Sequence, residues 1–277
     1  MITWADPYFL DQDVSLSTNG FYYTRFFPNW NEQRIGGRIS AGYMFTPFLS
    51  SSLALRLEGV NLSQPSLPTP QELSQALGSH FLSTVRLNLV HDTRDTPFLP
   101  GRGHYIETAY EQGIADYTYP RVDFEGRQYF TLKEGPHGGN RHIIALSGQL
   151  GWTGDNTPIF EKYYAGGYQN FRGFQFYGVT PRENGVRVGG FFSALGSAEY
   201  MFPVVASDAV QLVVFSDFGS VEQDVRLDNF RVTVGGGVRL TIPAMGPLPI
   251  AIDFAVPIHK QSYDTTQLVS FSLGMYR

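Results

Sequence analysis

Cysteine is absent from the 277 residues, which removes disulfide staples, thiolate metal sites and thiol nucleophiles at one stroke. Charge is scarce. Asp, Glu, Lys and Arg together make up 16%, where an ordinary soluble domain carries about 25%. No apolar run approaches the ~20 residues that a membrane-spanning helix needs. A basic excess is missing too, since the net charge is -5, so the chain carries no electrostatic footprint for nucleic acid.

What is present points the other way. Aromatics reach 15%, with 22 Phe and 16 Tyr, and there are 30 Gly, while the mean hydropathy is near neutral. Few charges and many aromatics at neutral hydropathy fit a β-barrel whose apolar outer face and polar inner face average out along each strand. Period-two alternation recurs almost end to end. Val232, Val234, Val238 and Leu240 alternate with Arg231, Thr233, Arg239 and Thr241. Ile250, Ile252, Phe254 and Val256 share a face, with Asp253 opposite. Val269, Phe271, Leu273 and Met275 share another, opposite Ser270, Ser272 and Gly274.

The strand candidates are 14–26, 36–46, 53–61, 83–90, 103–112, 122–132, 144–152, 160–165, 189–202, 211–221, 230–241, 250–256 and 269–275. That is roughly thirteen, several of them at the ~10 residues a tilted spanning strand requires. The expectation is an all-β fold, an antiparallel transmembrane β-barrel. Tight Pro- or Gly-bearing turns, as at 203–208 and 243–249, alternate with longer polar connections such as 61–78. This is the arrangement of outer-membrane barrels. Tyr and Phe gather at strand ends, as interfacial girdles do. A soluble β-sandwich is the bland alternative, disfavoured by so many long strands at so low a charge.

A barrel in lipid must close, because an open edge leaves backbone groups unsatisfied. The chain enters in what reads as mid-strand at Ile2-Thr3-Trp4, so thirteen strands are expected to belong to a sixteen-strand barrel whose first strands lie upstream. The first eight residues have neither the basic nor the apolar region of a signal peptide, and the chain is expected to be a mature fragment.

One charge stands out. Arg172 lies in Phe171-Arg172-Gly173-Phe174, among aromatics and glycines, in the longest irregular connection of the chain. Such an arginine needs either solvent or planar, bidentate acceptors. Glu199 shares parity with Ser193 and Ser197, and Asp217 with Gln211, so both acids are expected to face inward.

Three segments, in order, resemble the BamA family of outer-membrane protein assembly factors and its superfamily of barrel insertases and polypeptide transporters. The first is the hairpin Asp92-Thr93-Arg94 through Pro100-Gly101-Arg102-Gly103. The second is Tyr163-Tyr164-Ala165-Gly166-Gly167 with Phe171-Arg172-Gly173-Phe174, similar to the family's inward-folded sixth extracellular loop. Here Phe171 stands where the family has an aliphatic residue. The third is Ser216-Asp217-Phe218-Gly219. The ordered set spans the chain, with Asp6-Pro7-Tyr8 at its start and Gly246-Pro247-Leu248 near its end.

The resemblance implies that residues 1–277 are the C-terminal part of a single barrel domain, with periplasmic repeats and the first strands outside the sequence. It also implies a latch in which Arg172, Gly173 and Phe174 dock on Glu199, Asp217 and Gly219, and a hairpin motif of Asp92, Arg94, Pro100 and Gly103. The last strand, with Val269, Phe271, Leu273 and Met275, would form a lateral seam where a client strand adds by β-augmentation. The implied partners are the lipid bilayer, unfolded outer-membrane barrel clients and assembly lipoproteins. The implied location is the bacterial outer membrane.

Enzymatic readings fare worse. Asp92, Arg94, Asp95 and His91 are near-consecutive at a strand end, which suits a salt-bridge cluster better than acid–base chemistry. Six histidines show no metal-ligand spacing, including His137 and His142 around one loop. Ser193 and Ser216 have no nucleophile elbow or histidine partner. Gly235-Gly236-Gly237 precedes no helix that could cradle phosphate. No catalytic residue, metal or cofactor is expected. The rivals are a two-partner secretion or TamA-like transporter of the same superfamily, and a passive porin, which should carry inward rings of charge where this chain reads as sparse.

Overall fold

The computed structural model describes residues 1–136, 138–205, 209–241 and 249–273. Thirteen strands form one antiparallel sheet in which every strand pairs with its sequence neighbour. They are β1 (Ile2–Asp6), β2 (Val14–Phe26), β3 (Asn31–Thr46), β4 (Leu49–Ser63), β5 (Gly78–Asp92), β6 (Gly103–Gly113), β7 (Pro120–Lys133), β8 (His142–Thr153), β9 (Phe192–Pro203), β10 (Val210–Glu222), β11 (Arg231–Thr241), β12 (Pro249–His259) and β13 (Val269–Leu273). Among the described residues, β1 and β13 are the two edges and no ladder joins them.

The sheet is inside-out relative to a soluble protein. On β4, Leu53, Leu55 and Leu57 are 54%, 38% and 43% exposed on the outer face, while Ala54 and Glu58 between and beside them are buried. Ile35, Ile39, Leu87, Leu89, Leu146, Leu150, Ile252 and Phe254 repeat the outward pattern, and Arg34, Arg239 and Asp253 the inward one. Apolar surface of this kind is stable only against lipid. No helix of the described residues is long and apolar enough to cross a membrane.

Two expectations change. Residues 160–165 are not a spanning strand. A 3-10 turn, Ile159–Glu161, follows Pro158, and the aromatic run after it makes only isolated bridges, such as Tyr163 to Gly190 and Ala165 to Val179. The thirteenth strand is instead β1. Nor is the interior sparse in charge, because Glu32, Arg34, Glu58, Glu111, Asp217, Arg231, Arg239 and Asp253 are all buried on the inner face. Gly274, Met275, Tyr276, His137, residues 246–248 and parts of the 203–208 and 243–249 turns lie outside the described residues.

The connections at one end of the strands are mostly longer than those at the other. The longest, residues 154–191, joins β8 to β9 and folds back against the inner wall. A short helix, α1 (Gln71–Gln75), sits in the β4–β5 connection. Its Leu73 joins Trp30, Leu62, Leu82, Tyr119, Ile159 and Val188 in a hydrophobic core at this end of the sheet.

Candidate functional site

The 154–191 loop is held at two places, its root and its tip. The root begins with a Thr153–Thr157 hydroxyl pair, 2.6 Å apart, that accompanies the turn at Gly154. Past Pro158, the 3-10 turn aims Glu161 at the wall of β3 and β4. There Arg34 Nη1 donates to Glu161 Oε1 at 2.6 Å and Arg56 Nη2 to Glu161 Oε2 at 3.0 Å. Arg34 also reaches Glu32 and Glu58, each at 2.8 Å, and the Phe160 carbonyl at 3.1 Å. Arg121 on β7 donates to the Glu161 carbonyl at 2.9 Å and stacks on the Tyr163 ring. The Tyr163 hydroxyl in turn donates to Asp123 at 2.7 Å.

Burial alone would raise the Glu161 carboxyl. The Arg56 and Arg34 guanidiniums outweigh that effect and pull its pKa down to about 2.

The tip carries the opposite charge to the opposite wall. Arg172, 1% exposed, meets Asp217, 0% exposed, in a bidentate pair: Nε donates to Oδ2 at 2.9 Å and Nη2 to Oδ1 at 2.6 Å. The backbone N–H of Arg172 donates to Oδ2 as well, at 3.0 Å. Ser197 and Asp217 are direct cross-strand partners, so Ser197 Oγ donates to Asp217 Oδ1 at 2.6 Å while accepting from Arg172 Nη2 at 3.1 Å. Glu199 Oε1 lies 2.6 Å from Nη2 as an ionic contact. The guanidinium sits 3.3 Å above the Phe215 ring centroid, which adds a cation–π attraction in a dry setting.

The tip backbone is shaped for this approach. Gly173 has φ +89, and a Cβ there would lie 3.0 Å from Thr233 Cγ2 and 3.4 Å from the Ala255 Cβ. A side chain would therefore suffer both left-handed strain and crowding. Phe171 and Phe174 pack edge to face, 5.1 Å apart, within a cluster that includes Leu195 and Val221. Gly219 lies opposite Leu195 in one ladder and Arg231 in the other.

Sequence reasoning missed Ser197, Phe215 and Asp253 as members of this cluster. Asp253 Oδ2 lies 3.6 Å from Arg172 Nη1 and pairs with Arg239 at 2.6 Å. The inward parity of Asp253 was a usable signal for it. The whole root anchor was also missed.

The hairpin between β5 and β6 is a compact polar cluster. Arg94 Nε and Nη2 clamp Asp92 at 2.8 and 2.7 Å, and Asp95 Oδ1 accepts from the Gly101 N–H at 2.9 Å. Pro100 is buried beneath it. Gly103 lets the strands close, since a Cβ there would lie 2.2 Å from the Thr93 carbonyl oxygen. His91 contacts His104, at 2.7 Å, and takes no part in the Asp92–Arg94 pair. No group of three or more metal-ligating side chains occurs among the described residues. At the far edge, Val269, Phe271 and Leu273 are exposed on the outer face of β13.

A family model, the Omp85 superfamily domain, matches residues 1–275. The chain belongs to the Omp85 superfamily. Its relatives within the superfamily are distant in sequence. The outer membrane protein assembly factor BamA of Nitratidesulfovibrio vulgaris is 23% identical over 286 residues, covering 99% of this chain and 36% of that protein. The sorting and assembly machinery component 50 homolog of Xenopus tropicalis is 28% identical over 182 residues, covering 64% of this chain and 38% of that protein. This Omp85 chain thus spans little more than a third of the length of these relatives.

Among solved structures, BamA from Haemophilus ducreyi lacking POTRA domains 1–3 superposes with a TM-score of 0.81 at 18% identity, over 99% of this chain and 61% of that one. CdiB from Acinetobacter baumannii gives 0.63 at 11% identity, over 94% and 47%. Both likenesses are of fold.

Proposed function

We propose that this chain is the barrel portion of an outer-membrane insertase component that assists folding and membrane insertion of other β-barrel proteins, with its inward loop latched by Arg172. The bidentate, fully buried Arg172–Asp217 pair carries the reading. A loop held on the lumen side of the wall by a dry charge pair suits a plugged machine better than an open channel. Its setting is the bacterial outer membrane, where the apolar outer face of an Omp85 barrel meets lipid. The likeness to assembly factors supports a folding role and offers no bond chemistry.

Residues 1–277 are read as the later strands of a larger, sixteen-strand barrel. Coverage of 61% of the solved BamA chain supports this, as do the two unjoined sheet edges. The partners that follow are lipid, unfolded barrel clients and assembly lipoproteins. A polypeptide transporter is the second reading, favoured by the CdiB likeness but at a lower structural similarity than BamA.

Reconstitution separates the two. The protein in lipid vesicles, mixed with an unfolded outer-membrane barrel, should speed appearance of the protease-resistant, heat-modifiable client over empty vesicles, and Arg172→Ala should slow it. No acceleration would sink the insertase reading. Client recovered across the bilayer, and not within it, would favour transport.

A further inference from the structure

The 154–191 loop carries two arginines that neither anchor uses. They are brought together by a local turn. Asn184-Gly185 is a strong hairpin signal, because both central positions of a type I′ turn need positive φ, and here φ is +51 at Asn184 and +81 at Gly185. The turn sets Glu183 opposite Val186 and Arg182 opposite Arg187. Val186 and Val188 leave one face of this hairpin and pack with Trp30 and Leu73. Alternation sends both arginines off the other face, toward Thr265 in the connection between β12 and β13. Like charges directly opposite on one face repel.

No acid relieves that repulsion. Among the described residues, neither Arg182 nor Arg187 makes an ion pair. Asp264, beside Thr265, is committed to Arg231 at 2.9 Å, and Glu183 is exposed on the opposite face of the hairpin. Yet Arg187 is only 8% exposed. Its Nε, the Nε of Arg182 and the hydroxyl of Thr180 are buried without a hydrogen-bond partner. Burial and the neighbouring Arg182 push the Arg187 guanidinium down from its ordinary range. A buried cation without a counter-charge is costly, so the arrangement suits a charge that the chain does not supply.

Both guanidiniums aim at one oxygen. Arg182 Nη2 donates to the Thr265 hydroxyl at 2.7 Å, and Arg187 Nη2 at 3.4 Å. The backbone holds Thr265 in place: its carbonyl accepts from the Gln175 N–H at 2.9 Å, and its N–H donates to the Gly178 carbonyl at 3.3 Å. Having accepted two N–H groups, the hydroxyl keeps its own proton to give. Nη1 of each arginine also lacks a hydrogen bond and, unlike the Nε atoms, is not sealed from solvent.

We propose that Arg182, Arg187 and Thr265 form an oxyanion site that takes a phosphate group. Two guanidiniums with no acid among them match a doubly charged tetrahedral anion better than a single carboxylate. The same chemistry is offered by free phosphate and by a lipid headgroup bearing a phosphate monoester. Bound there, the anion turns a repelling pair into a bridge and clamps the hairpin to the β12–β13 connection. The site stands apart from the assembly reading and needs none of it.

Equilibrium dialysis of the protein in neutral-detergent micelles against labelled inorganic phosphate tests the site, beside thermal midpoints with and without phosphate. The unaltered chain should bind one equivalent and melt higher with phosphate. Arg182→Gln and Arg187→Gln should each weaken binding at least about tenfold, and Thr265→Val, which keeps both charges, several-fold. Without phosphate, Arg182→Gln should leave the midpoint unchanged or raise it, since a like-charge contact is gone. A midpoint that falls equally with and without phosphate would mean that the arginine merely holds Thr265, and overturns the site. So does phosphate binding that is absent from the unaltered chain or undiminished in the arginine variants. Nanodiscs of phosphatidylcholine with added phosphatidic acid, set against phosphatidylcholine alone, separate the sources. Displacement of labelled phosphate by the doped discs alone assigns the site to a lipid headgroup; retention assigns it to the free anion, and either result upholds the oxyanion site.

Discussion

The root and the tip of the 154–191 loop solve one problem in opposite ways. The root sends an acid, Glu161, into a wall of arginines; the tip sends an arginine into a wall of acids. At the root the charge is shared, because Arg34 also holds Glu32 and Glu58 and Arg56 also holds Glu58 and Glu111. At the tip, Asp217 takes two side-chain bonds and one backbone bond from a single residue. A distributed network tolerates the loss of one member. A concentrated pair tolerates it less, because the fully buried Asp217 loses the cation that balances its charge while its Ser197 hydrogen bond stays.

The largest effect should therefore come from Arg172→Ala. It removes the guanidinium from Asp217 and Glu199 and should cost about 3–5 kcal/mol, read as a shift in the denaturant midpoint of the refolded barrel and as new protease cleavage within 164–190. Glu161→Gln should cost less, about 1–3 kcal/mol, since both arginines keep other carboxylates. An equal or larger loss would reverse the ranking of the anchors. The double variant sharpens the contrast: if the anchors are independent, the two costs add within about 0.5 kcal/mol.

Acid should loosen the root on a defined schedule. The Glu161 pKa is lowered from 4.5 to about 2 in the folded chain, so its contribution is complete above about 4.5, fades as pH falls and is lost below about 2. Cleavage near residues 154–163 by an acid-active protease should begin only in that window, and Glu161→Gln should abolish the pH dependence. The smallest effect belongs to Tyr163→Phe, which removes one hydroxyl bond to Asp123 and should cost about 0.5–1.5 kcal/mol. A larger shift in the thermal midpoint would promote Tyr163 from support to anchor.

The difference between the anchors also explains what could be read in advance. The strands were legible because lipid demands an apolar residue at every second outward position, a rule that Leu53, Leu55 and Leu57 obey as plainly as Ile250, Ile252 and Phe254. The tip was legible because Arg172 is a lone charge in a glycine- and aromatic-rich stretch resembling a known motif, and because Glu199 and Asp217 have inward parity. The root was not. Glu161 lies among Lys162, Tyr163 and Tyr164, residues that read as a short strand, and its partners Arg34 and Arg56 sit more than a hundred residues away on strands where alternating charge looks like any wet inner face. Asp253 was placed on the correct face of its strand, but nothing in one strand tells how far a neighbouring loop will reach.

The acidic wall facing the tip has an electrical consequence. With the loop docked, Arg172 and Arg239 neutralise much of the charge of Glu199, Asp217 and Asp253, so the plugged barrel should conduct little current and favour neither sign of ion. Withdraw the tip, and Glu199, Asp217 and Asp253 lose one of the cations that balance them. In a planar bilayer, Arg172→Ala should then show openings whose reversal potential in a salt gradient shifts toward cations, so the leak would report by its selectivity which anchor has let go.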